Sequence, residues 1–314
     1  MKYCRKRQPR PSCWLAVRAD LKDICRKSQE INRELDAARD FGPVKDIVIP
    51  PCPQLLVQLQ QELGQPDPDP LVVAEIAGND VAMAAALIRI ANSSLYARRQ
   101  PVNSVGQAVA MLGVRPTATV LTGFLLRNAI ALDPTLIEHF WESSNRRSLA
   151  MAHVAAQMYG VDVEVARTSG LFLHVGIPVM LQGLRGYRGT LAEAMARQDR
   201  SFTQTENAAH RTDHAVVGAI VAKTWRLPPM IAYAVRLHHD FTVLTDPALA
   251  LNVRQLVAIA AIADHLVAEH EGIKEQREWR SHGEECMAFL QIGAAEVESW
   301  SDVLYARFEN VVVS

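Results

Sequence analysis

Six histidines stand on mostly apolar, helix-like stretches in the second half of the chain: His153, His174, His214, His238, His239 and His265. Asp240 follows one of them and Asp264 precedes another. Imidazole and carboxylate are ligands for zinc, iron or manganese, and ligands spread over several helices are how a helical bundle builds a metal centre. The same side chains also brace cores as hydrogen-bonded residues, and spacing alone leaves both uses open. Other chemistries lack their residues. Gly183, Gly186 and Gly189 do not have the G-x-G-x-x-G spacing of a dinucleotide turn, and no strand pattern precedes them, so they read as a loop. Neither G-x-S-x-G nor a phosphate-binding G-x-x-x-x-G-K occurs. The five cysteines, at 4, 13, 25, 52 and 286, are odd in number and contain no C-x-x-C pair. That spacing predicts reduced thiols rather than a disulfide framework or a zinc ribbon.

The elements that must position these residues are helices. Apolar positions at Leu21, Ile24, Ile31, Leu35 and Ala38 predict an amphipathic helix ended by Phe41-Gly42-Pro43. A helix starting near Pro53 carries Leu55, Leu56, Leu59 and Leu63 on one face and stops at Gly64. Asn79 or Asp80 caps a helix with Val81, Ala84, Ala85 and Ile88 as its predicted apolar face, broken at Asn92-Ser93-Ser94. In that break, Asn92 is expected to take the left-handed conformation. Further helices run from Ser104 to Gly113, after Pro116, over Glu138–Tyr159 and over Glu164–Leu173. Others follow Asp213, as a cap for His214–Trp225, then Pro228-Pro229, and Val253–Glu269. Glu269–Trp279 reads as a charged surface stretch. Period-2 strand alternation is nearly absent, so the fold class is all-α.

The chain has 314 residues, of which 49% are hydrophobic and 21% charged, enough for a sizeable core. Its formal net charge of −1 gives no global pull toward nucleic acid or an anionic membrane. Residues 1–40 hold 11 Lys/Arg against 6 Asp/Glu and form a locally basic arm. A solvated tail leading into a helix is the preferred reading, with nucleic-acid binding by the arm as a rival class. No apolar run approaches the ~20 residues of a membrane span and no secretory leader is present, which predicts a cytoplasmic protein.

Four motifs resemble the HDOD domain, the HD-related output domain of bacterial signalling proteins. They are Ile49-Pro50-Pro51-Cys52-Pro53, Leu87–Tyr96, Ser104–Gly113, and His214 to Gly218 followed by Trp225-Arg226-Leu227-Pro228 and His238-His239-Asp240. The likeness spans about residues 48–270. It implies a two-lobed helical fold related to the HD phosphohydrolases, with lobes at about 44–135 and 136–270, an N-terminal arm and helix over 1–43, and peripheral helices over 271–314.

In those hydrolases the ligand order is a His, an adjacent His-Asp pair, further His and a late Asp. Here Phe140–Ser144 falls where the first His belongs and contains none, and the pair becomes His174-Val175. The resemblance leaves His174, His214, His238 and Asp264 as vestigial ligand candidates, and no cofactor is expected. The bridging aspartate is what holds two cations and their nucleophilic hydroxide, so valine in its place argues against hydrolysis. The expectation is a non-catalytic regulatory protein with a protein partner in a signalling pathway. A divergent metal-dependent phosphohydrolase is the alternative. Arg98 and Arg99, with Arg185 and Arg188 in the glycine-containing loop, are the candidate interaction residues, since guanidinium forks suit partner carboxylates or phosphates.

Overall fold

The structure is a computed structural model of the chain. It describes residues 11–93, 96, 101–130, 132, 134–197, 199–274 and 276–309, excepting the side chains of 11–22 and 134–138. Among the described residues the fold is all-α, with no strand. Arg98 and Arg99 lie outside the described residues.

Helices begin where a short polar side chain can take an unpaired amide. Asp69 accepts from Leu71 N at the start of α3 (Pro70–Gly78), which follows α1 (Pro11–Asp40) and α2 (Gln54–Leu63). Asp80 accepts from Met83 N at the start of α4 (Val81–Ala91), and Ser104 from Gln107 N at α5 (Val105–Leu112). After a sharp bend at Gly113 (φ +86°) come α6 (Val114–Ala129) and the long α7 (Pro134–Ala155). Asp162 caps α8 (Val163–Phe172) through two amides, those of Glu164 at 2.9 Å and Val165 at 3.1 Å. Asp162→Ala should therefore lower stability by about 1 kcal/mol, read from urea unfolding with an unchanged slope.

The rest of the bundle follows with α9 (Gly176–Gly183), α10 (Tyr187–Ala196), α11 (Phe202–His210), α12 (His214–Thr224), α13 (Pro229–Leu237) and α14 (Leu251–His270). α15 (Arg277–Leu290) and α16 (Ala294–Phe308) close the described chain. α14 has the length and composition of a membrane span, but here Val253, Leu256, Ile259 and Leu266 are buried in the core. Its apolar residues are those of a core helix.

Three local expectations need correction. On α4 the buried residues are Met83, Ala86, Leu87 and Ala91, whereas Val81 is 86% exposed. α4 is apolar nearly all round, so periodicity could not choose the face that α5 and α6 would cover. Asn92 is right-handed (φ −90°, ψ −1°). Its amide donates to Val102 O at 2.8 Å and accepts from Val102 N at 2.7 Å, clasping both ends of the loop. The glycine-containing loop is short: Gly183 ends α9, and Arg188 and Gly189 already lie in α10. Arg185 and Arg188 are exposed.

The α2–α6 helices meet the later ones around Trp225. Its Nε1 donates to Pro50 O at 2.9 Å, and its carbonyl accepts from Gln60 Nε2 at 2.8 Å. The proline-rich opening motif is thus the seat for one buried indole. The helix α1 docks against the later lobe: Ile31 and Leu35 are buried, Asn32 donates to Tyr233 Oη at 2.7 Å, and Lys223 pairs with Asp36 at 2.6 Å.

Candidate functional site

Four histidines from three places in the chain converge. His174 sits in the turn between α8 and α9, His214 opens α12, and His238 and His239 follow the end of α13. Their approach depends on glycine. A Cβ on Gly176 would lie 2.0 Å from His214 O, so α9 and α12 touch backbone to backbone there. Gly218, one turn along α12, faces Gly176 N and Val175. Asp213, the cap of α12, fixes His214 at the helix start by accepting from Val216 N at 2.9 Å.

The inner nitrogens gather around His214 Nε2. His239 Nε2 is 3.0 Å from it, His174 Nδ1 3.1 Å and His238 Nε2 3.4 Å. One nitrogen from each ring lies within 4.8 Å of every other, so these four residues could hold a metal ion. Each outer nitrogen meets an acceptor. His214 Nδ1 meets Glu206 at 2.7 Å, His238 Nδ1 meets Val235 O at 2.6 Å, and His239 Nδ1 meets Glu278 at 2.7 Å. His174 Nε2 stands 3.2 Å from both oxygens of Asp264.

Burial, with the Arg147 guanidinium nearby, pulls the His174 imidazole down to about 4. Burial and the neighbouring imidazoles, His239 foremost, hold His238 well below its ordinary value. Burial also works against a charged His239, but the Glu278 carboxylate outweighs it and the pKa rises. Burial opposes ionisation of Asp264, yet Arg147 and then His174 hold its carboxyl well below the carboxylate range. Glu206, fully buried, is likewise kept ionised by His214 and by Tyr187, whose hydroxyl donates to it.

The predicted candidates therefore divide. His174, His214 and His238 turn inward together. Asp264 stands one layer out, ion-paired with Arg147 Nε and touching only His174 of the four rings. Asp240 caps the turn at Thr242, His153 packs on Trp300, and His265 stacks on Trp279. Sequence reasoning set His239 aside and missed Arg147, Glu206 and Glu278. Arg147 lies three residues past the segment searched for the first ligand. Glu278 sits in the stretch read as charged surface, but α15 turns it inward onto His239, so the helices after 270 help to build the site. Beside the cluster is a cleft of about 340 Å³, lined in part by Arg147, His239, Arg200, Asp264 and Trp279.

A family model for the HDOD domain matches residues 49–241. The chain belongs to the HDOD domain family. This HDOD protein is similar in fold to a Shewanella amazonensis SB2B protein named "putative phosphohydrolase", with a TM-score of 0.65 and 18% identity over 92% of this chain and 94% of the other. It is also similar to a Marinobacter aquaeolei VT8 protein named "putative signal transduction protein", with a TM-score of 0.65 and 17% identity. That likeness covers 83% of this chain and 58% of the other. An uncharacterized protein of Treponema pallidum (strain Nichols) is 21% identical over 226 residues. The match takes in 71% of this HDOD chain and spans 43% of the relative's length.

The two-metal centre implied by the hydrolase relatives does not fit this site. Val175 stands where a bridging carboxylate would be and is fully buried among apolar neighbours. The remaining acid, Asp264, is engaged by a guanidinium.

Proposed function

We propose that this HDOD protein is a regulatory module that binds another macromolecule and does not hydrolyse phosphate esters. Membership of the family and the likeness to a protein named for signal transduction support the regulatory part. One observation carries the non-catalytic part: Arg147 pairs with Asp264 while Val175 replaces the other acid. A binuclear hydrolase needs those two carboxylates to hold its cations and their bridging hydroxide. A cation fixed by the chain itself fills the electrostatic place of one ion and brings no nucleophile.

The test is hydrolysis of mono- and diester phosphates by the full chain with manganese, iron(II), zinc or magnesium. The expected result is no turnover above the metal-only control, for wild type and for Val175→Asp alike, because the single replacement leaves Arg147 on Asp264. Metal-dependent turnover that is lost in His214→Ala would establish the phosphohydrolase reading instead. That second reading draws on the imidazole cluster and on the name of the Shewanella neighbour.

For the contact surface we favour the exposed corner between α9 and α10 that carries Arg185 and Arg188. Exposed charges contribute little to stability, so the double alanine variant should melt within a few degrees of wild type. A partner recovered from the native host by the wild type should fall at least tenfold in yield with the variant. Undiminished capture would move the surface elsewhere.

A further inference from the structure

The geometry points to a mononuclear transition-metal site formed by His174, His214, His238 and His239, closed to substrate and used to lock the bundle. This goes beyond the regulatory reading and does not depend on it.

The first argument is the placement of protons. Carboxylates and a backbone carbonyl only accept, so the four outer nitrogens must carry the N–H. In neutral rings the inner nitrogens then present lone pairs, and three of them point at His214 Nε2 from 3.0, 3.1 and 3.4 Å. A proton on one ring resolves one of these contacts and leaves the other two as facing lone pairs. A metal ion resolves all of them. At metal–nitrogen bonds of ~2.0–2.1 Å, donors at the corners of a tetrahedron are roughly 3.3–3.4 Å apart. The three contacts are within a few tenths of an ångström of that edge.

The second argument is the outer layer. Metal-bound imidazoles characteristically donate their second N–H to a carboxylate or carbonyl, which fixes ring and tautomer. Here every one of the four does so, to Asp264, Glu206, Val235 O and Glu278. Charge agrees. Three carboxylates touch the cluster, and Arg147 offsets one of them. With neutral rings two negative charges remain, which is what one divalent cation cancels. An all-imidazole set suits zinc, copper, nickel or iron(II) better than magnesium or calcium. Four protein ligands leave no position for substrate or water, which marks a structural ion. Asp264 is not needed as a ligand.

The ion would join the α8–α9 turn, α12 and the end of α13, and through Glu278 it would hold α15. Occupancy thus couples the family domain to the C-terminal helices.

The test strips the full chain with a chelator and adds back zinc or cobalt(II), reading stoichiometry by elemental analysis after dialysis and unfolding by a thermal scan. Expected are one ion per chain, a rise of several degrees in the unfolding midpoint, and four-coordinate cobalt absorption. His239→Asn should lose the ion, whereas His265→Ala, outside the cluster, should keep it. Glu278→Gln should retain one ion with 10–100-fold weaker affinity. The metal-free melting points of the variants show whether each is folded. No retained ion in the folded wild type, two ions per chain, or an ion kept by folded His239→Asn would each overturn the assignment. Failure here leaves the regulatory reading standing. Phosphoester turnover would sink that reading without touching the metal stoichiometry.

Discussion

Trp225→Ala should cost about 3–5 kcal/mol of stability, the range for truncating a fully buried large aromatic side chain. The indole is 0% exposed and meets Phe172 edge-on, with ring centroids 5.8 Å apart. It is also the one side chain whose hydrogen bond ties the core of α12 to the proline-rich segment, through Pro50 O at 2.9 Å. Truncation leaves a cavity between two sets of helices and strands a buried carbonyl. Trp225→Phe fills most of that space and should cost less, about 1–3 kcal/mol, chiefly for the unpaired Pro50 carbonyl. Urea unfolding measures both. A loss below about 1 kcal/mol for the alanine variant would show that the two halves of the fold do not depend on this contact.

Gly176→Ala should be at least as damaging, although it adds only one methyl group. The new Cβ would lie 2.0 Å from His214 O, 2.7 Å from its carbonyl carbon and 2.8 Å from its Cα. These are backbone atoms, so no rotamer change relieves the clash and α9 must move off α12. Overpacking commonly costs 1–3 kcal/mol, and a rigid backbone clash belongs at or above about 3 kcal/mol. Because His174 and His214 flank this contact, the same substitution should separate their rings. Any residual folded protein should then lose the cobalt spectrum expected of the four-histidine site. Gly189 supplies the control: nothing lies within 4 Å of its would-be Cβ, and it sits inside α10. Gly189→Ala should be neutral or stabilising by up to about 1 kcal/mol. Equal effects at the two positions would refute the argument from close approach.

Local signals carried most of what the sequence could determine. Helix starts at Asp80, Ser104 and Asp213 were readable because a cap is a local hydrogen bond between a side chain and an amide two or three residues on. The fold class followed from helical periodicity, and the family from ordered motifs whose members are close in sequence. The loss of the bridging acid was visible as Val175, since it concerns residue type and not position in space.

Only the tertiary structure decided the rest. Periodicity chose the wrong face of α4 because an almost wholly apolar helix has no preferred side until neighbours cover it. Asn92 was read as a helix ender, but its function is to clasp Val102, ten residues on, which no local rule contains. His239 was set aside and Asp264 kept by analogy, yet side-chain direction at the end of α13 puts His239 inward and Arg147 draws Asp264 outward. Arg147, Glu206 and Glu278 come from α7, α11 and α15, and their part in the site arises from packing between helices far apart in sequence. Residue type and short spacing are written in the chain. Which buried charges face one another is fixed only when the helices have packed, because that choice rests on contacts between segments that carry no mark of one another.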